Sequence, residues 1–86
     1  MSPEIETLDQ LICGCMTLQI IRRVYPDDNA FAVGIHGLLR NGDVRLLSEG
    51  AEVPQWRWRE LFEDGGWREL SRLELTLTEQ GARRVT

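Results

Sequence analysis

The segment that most constrains the fold is Leu73-Glu74-Leu75-Thr76-Leu77-Thr78-Glu79-Gln80-Gly81-Ala82-Arg83-Arg84-Val85, where a two-residue alternation gives way to the start of a helix. Successive side chains of a strand point to opposite faces, so Leu73, Leu75 and Leu77 share one face while Glu74, Thr76 and Thr78 share the other. This is the pattern of a half-buried strand. Either Thr78, or Thr76 with Glu79 three residues on, supplies the side-chain oxygen that satisfies orphan N–H groups where a helix opens.

The beginning of the chain reads as a helix from Ile5 to about Met16 after a Ser2-Pro3 start. Leu8, Leu11, Ile12 and Cys15 recur at helical spacing, and acids occupy the first turn, the positive end of the helix dipole. Residues 17–25 carry signals for both helix and strand and lean to helix, and Pro26-Asp27-Asp28-Asn29 ends that element. Phe31 to Arg40 fits a helical face through Phe31, Ile35, Leu38 and Leu39, and an alternating face through Phe31, Val33, Ile35 and Leu39. Asn41-Gly42 suits either a tight hairpin or the C-cap of a helix preceding a strand Val44 to Leu47. Glu49 to Pro54 is a loop. Gln55 to Phe62 then alternates aromatic and charged residues, and Trp67 to Leu77 returns as its partner strand across a turn at Glu63-Asp64-Gly65-Gly66. The rival reading of that stretch is a short helix from Pro54 to Phe62 with Trp58, Leu61 and Phe62 inward.

With 86 residues, the expectation is a single domain, 1–86, burying about 60 to 65% of its unfolded surface, with a core that is small or shared with a partner. The apolar runs are far shorter than a membrane span requires. Acids occupy the positions where a secretion signal is basic, so the expected location is cytoplasmic. Fourteen acids against ten basic residues give a formal charge of −4, and bulk charge therefore does not attract nucleic acid. All ten basic residues are Arg, which suits bidentate pairing with carboxylate or phosphate and also fits a GC-rich, bacterial coding sequence.

A helical first half followed by a ribbon whose last strand runs Leu77-Thr78-Glu79-Gln80-Gly81 into a helix resembles the winged-helix regulators of bacteria, over residues 30–86. The resemblance implies a recognition helix at Phe31 to Arg40, a wing tip at Glu63 to Gly66, and a DNA-binding or transcription-regulating role. The residues depart from that pattern in two places. Only His36 in Phe31–Leu39 offers a polar side chain toward base edges, and Glu63 and Asp64 at the wing tip repel phosphate.

Arg57, Arg59, Arg68 and Arg72 form the candidate binding set for phosphates or for a partner's carboxylates, although Glu60, Glu63, Asp64, Glu69 and Glu74 are interleaved with them. Trp56 and Trp58 join this set, because Trp is enriched both in interface hot spots and in cores. Cys13-Gly14-Cys15 lacks the further ligands of a zinc site. On a helix its two thiols point to different faces, so they read as buried, unbonded thiols. One His and no nucleophile with an activating base in sequence context point away from an enzyme, and no metal or cofactor is expected.

The fold expected is therefore α+β, an N-terminal helical part packed on a C-terminal antiparallel ribbon, with one helix plus a small antiparallel meander as the alternative. The function expected is a small DNA-binding regulator acting as a monomer or homodimer. A protein-interaction module that binds an acidic protein partner through exposed Trp and Arg is the alternative.

Overall fold

The computed structural model describes residues 2–69 and 72–85. The fold is α+β: five α-helices and a four-stranded antiparallel sheet among these residues. Helix α1 (Pro3–Leu11) opens on Ser2, whose hydroxyl accepts from the Ile5 N–H at 3.3 Å. Pro3 stands in the first turn, where its missing N–H costs nothing.

α1 ends at Leu11, earlier than Met16, because Ile12, Cys13 and Gly14 turn back on Asp9, Gln10 and Leu11 and the chain then enters the sheet. Gly14 has φ +132°, a conformation L side chains rarely adopt. Thr7, Leu8 and Leu11 are buried, whereas Ile12 and Cys15 of the expected apolar stripe are exposed.

Strand β1 (Met16–Thr17) leads directly into α2 (Leu18–Ile21) and a 3-10 turn at Arg22–Val24, so the ambiguous segment is mainly helical. α3 (Asp28–Asn41) resolves the ambiguity at Phe31–Arg40 in favour of helix. The Asp27 carboxylate accepts from the Ala30 N–H at 2.7 Å, and Gly42 with φ +80° closes the other end. There the Asp43 N–H reaches the Leu38 carbonyl at 3.0 Å, so Asn41-Gly42 acts as a helix stop.

β2 (Val44–Ser48) turns through Glu49 (φ 52°) and Gly50 (φ 86°) into β3 (Ala51–Glu52). Positive φ at both central residues suits a two-residue primed turn, and the hairpin lies here rather than at residues 63–66. The expected ribbon of residues 55–62 against 67–77 does not form. Gln55–Arg57 is a 3-10 turn and Trp58–Glu63 is helix α4, as the short-helix reading has it. Leu61 and Phe62 are buried, and a third 3-10 turn follows at Gly66–Glu69. Residues 70 and 71 of the expected return strand lie outside the described residues.

β4 (Leu73–Leu77) pairs with β2 from Ser48↔Leu73 to Val44↔Leu77, and with β1 through Met16↔Leu75, so the sheet order is β1-β4-β2-β3. Val44, Leu46, Leu73 and Leu75 are buried on the face that α1 and α3 cover, which is the alternation read from the sequence.

Tyr25 closes the helical side. It packs edge-on to Phe31 at 5.6 Å, shares a 3.0 Å hydrogen bond with the Thr7 hydroxyl, and lies so close to Gly34 that a Cβ there would stand 2.6 Å from its ring. Burial pushes its phenol up to about 12; the Thr7 hydroxyl acts against that rise and the Glu4 carboxylate adds to it. Trp67 also packs on Phe31, with the rings tilted by 56° and 4.6 Å between centroids, and belongs to the core margin.

The segment Thr78-Glu79-Gln80-Gly81 fastens α5 (Glu79–Val85) to the turn between α3 and β2. The Thr78 hydroxyl donates to the Gly42 carbonyl at 2.6 Å and accepts from the Gly81 N–H at 3.0 Å, so Thr78 is the cap. The Gln80 amide donates to the Asn41 carbonyl at 2.5 Å and to Asp43 at 3.2 Å. Asp43, 0% exposed, also pairs with Arg84. These contacts give Leu77–Gly81 a structural task, closing the fold across some 40 residues of sequence.

Candidate interaction surface

The four arginines of the candidate set do not share one ribbon face. Arg57 ends a 3-10 turn, Arg59 lies in α4, Arg68 lies in the next 3-10 turn, and Arg72 immediately precedes β4. Three of them are answered by their own carboxylates: Arg59 by Glu63 at 2.8 Å, Arg68 by Asp28 at 2.5 Å, and Arg72 more loosely by Glu49 at 3.8 Å. Such exposed pairs contribute little to stability but neutralise the local field.

Asp28 accepts from two guanidinium groups. Arg22 donates to it at 2.7 Å and Arg68 at 2.5 Å, and the Arg22 hydrogen bond, seconded by Arg68, holds this carboxyl below the usual carboxylate range. Arg68 also lies over the Trp67 ring at 5.4 Å. The Arg68 side chain thus ties α3 to the segment after α4.

Arg57 differs from the other three, having no ion pair with a described residue. It follows Trp56, which is 77% exposed. In a 3-10 turn side chains three apart eclipse one another, so Gln55 and Trp58 point one way while Trp56 and Arg57 point away from them. Gln55 and Trp58 line a cleft of about 510 Å³ with an apolar floor that includes Val44, Leu46 and Val53. The Trp58 indole N–H donates to the Val53 carbonyl at 3.2 Å, which fixes that ring as a wall. Of the two tryptophans in the candidate set, Trp58 is therefore half-buried and structural, and Trp56 is free.

The exposed side of α3 displays Val33, 66% exposed, together with Asn29 and Arg40. Beside it α4 packs against α3, with Phe62 stacked on the His36 ring at 6.1 Å, so His36 is partly covered. The Glu63–Gly66 segment joins α4 to the next turn and is not a hairpin tip. Cys13 and Cys15 are both exposed, contrary to the expectation of buried thiols.

Sequence reasoning missed Asp43 and Arg84. Asn41-Gly42-Asp43 signals a cap, but nothing local announces that the carboxylate will be buried against a helix 41 residues later. Among the described residues no group of three or more His, Cys, Asp or Glu side chains is placed to hold a metal ion, and no helix is long and apolar enough to cross a membrane.

Comparison with protein-family models, curated proteins and solved structures finds no match for this chain.

Proposed function

We propose that this chain is a non-catalytic protein-interaction module that docks an acidic partner segment through Trp56 and Arg57. The observation that carries the reading is that Trp56 is 77% exposed and is followed in the chain by Arg57, a half-buried residue with no ion pair to a described carboxylate. Leaving an indole in water forgoes about 1.5–3 kcal/mol of burial, which a partner recovers on binding. Trp and Arg are also the residue types that dominate interface energetics. Arg57 supplies the acidic preference, since its planar fork matches a carboxylate.

A photo-crosslinker placed at position 56 in cells, followed by purification of the captured protein, supplies the partner for a binding assay. Trp56→Ala and Arg57→Ala should each weaken that complex by roughly tenfold or more without shifting the unfolding midpoint. Full-strength binding by both variants would overturn the reading.

A winged-helix-like DNA-binding role is the second reading. Its support is the element order α1-β1-α2-α3-β2-β3-α4-β4-α5 and a sheet ordered β1-β4-β2-β3, with α3 in the recognition position. Against it stand the apolar Val33 on the face of α3, α4 packed alongside, and carboxylates answering Arg59, Arg68 and Arg72. Fold resemblance alone does not supply a site. Anisotropy with duplex DNA at low salt separates the two readings. DNA binding predicts a salt slope that falls by about one in Arg40→Ala or Arg57→Ala, and a flat titration removes this reading.

A further inference from the structure

The Cys13-Gly14-Cys15 segment sits in a setting that its sequence reading did not anticipate. Both thiols are exposed, and neither belongs to a helix or strand, since α1 ends at Leu11 and β1 begins at Met16. Two residues along a helix is a rotation of about 200°, which would point the side chains apart. Off the helix that restriction is gone.

Three observations favour closure. Two trans peptide units separate the Cα atoms by at most about 7 Å in any conformation, which overlaps the 4.4–6.8 Å range found across disulfides. Gly14 holds φ +132°, and nothing lies within 4 Å of where its Cβ would be, so the turn is open on that side. The chain has only these two cysteines, so within one molecule each thiol has a single partner, one residue away.

We propose that Cys13 and Cys15 form a reversible dithiol–disulfide pair that exchanges with low-molecular-weight disulfides of the glutathione class. One thiol loses its proton, and its thiolate sulfur attacks RS–SR, forming a protein–SR mixed disulfide and releasing RS⁻, which takes up a proton. The second thiolate then attacks the protein sulfur of that mixed disulfide, forming the Cys13–Cys15 bond and expelling the second RSH. Overall, two protein thiols give up two electrons and two protons, and RSSR becomes two RSH. The Gly14 turn makes the second step intramolecular, so it outruns capture of a second RSSR molecule. Since Met16 pairs with Leu75 immediately after Cys15, the oxidised loop sits at the point where the chain enters the sheet. This site is independent of Trp56 and Arg57 and of any partner they bind.

The test is intact-mass analysis of the full chain after incubation with oxidised glutathione and an acid quench. The expected product is a monomer about 2 Da lighter, restored by dithiothreitol, while Cys13→Ser and Cys15→Ser each stop as a persistent single glutathione adduct. A wild-type chain that instead accumulates two adducts, forms disulfide-linked dimers as its main product, or keeps its mass under excess oxidised glutathione would overturn the proposal.

Discussion

The backbone carbonyl of Asp43 occupies the space beside Gly81 in which any other residue would place its Cβ. That carbonyl also accepts the Thr78 N–H at 3.1 Å, so it cannot retreat without releasing the first turn of α5. Gly81→Ala should therefore lower unfolding stability by about 1–3 kcal/mol, the range for overpacking a tight contact. The measurement is the urea midpoint at unchanged m-value, and a midpoint equal to wild type would show that α5 is not seated on this turn.

Arg84 answers a carboxylate that has no exposed surface of its own. Removing the guanidinium leaves the Asp43 charge with the Gln80 amide as its remaining described side-chain partner. Arg84→Ala should cost about 1–3 kcal/mol. Adding Asp43→Asn to that variant should cost less than it does in the wild type, giving a coupling of about 1 kcal/mol in a double-mutant cycle; strict additivity would mean that the pair does not bear on stability.

Two glycines three residues apart on α3 should respond oppositely to alanine. A Cβ at Gly34 would stand 2.6 Å from the Tyr25 ring and 2.9 Å from a Glu4 carboxylate oxygen, whereas a Cβ at Gly37 meets nothing within 4 Å. Gly34→Ala should destabilise by about 1–3 kcal/mol and Gly37→Ala should stabilise by about 0.5–1 kcal/mol, the latter through helix propensity. Thermal melts of the two variants decide this, and shifts of the same sign would contradict the packing of α1 and Tyr25 on α3.

Tyr25 is the only tyrosine, so tyrosinate absorbance reports it alone. Its folded value of about 12 lies above the unfolded value near 10. The stability linked to it is fully present below pH about 10 and is lost as pH rises through about 12, because the unfolded state releases the proton first. Tyr25→Phe should lack that alkaline loss. A tyrosinate transition near pH 10 in the still-folded protein would contradict the burial of the phenol.

Asp28 works in the opposite direction. Its folded value is lowered by Arg22 and then Arg68, so its contribution is present above the unfolded value of about 3.9 and fades as pH falls from there through the lower folded value. Asp28→Asn should flatten the acid limb of a stability–pH curve in that window, and an unchanged limb would show that the double arginine contact is not held in solution.

How much of this was legible varies with the distance over which each feature is decided. The Ser2 start was readable, and the Gly42 stop and the Thr78 cap were each one of two local readings, because such signals are completed within a few residues. The apolar face of Leu73 and Leu75 was readable because a strand's period is two. For the candidate site, Trp56 and Arg57 were in the set read from the sequence, but nothing local set them apart from Trp58, Arg59, Arg68 and Arg72. The pairing of Arg68 with Asp28, 40 residues away, was not.

By itself the sequence determined the character of the elements: where several helices begin or end, which side of the last strand is apolar, and that helices and strands are both present. Only the tertiary structure decided that β4 pairs with Val44–Ser48 instead of residues 55–62, that α1 stops at Leu11 so that β1 can join the sheet, and that the two cysteines face solvent. The physical reason is that caps and periodicity act within a turn or two of backbone. Alternation specifies a face but not the neighbour it meets, and that choice is made by burying one shared core among elements some thirty residues apart.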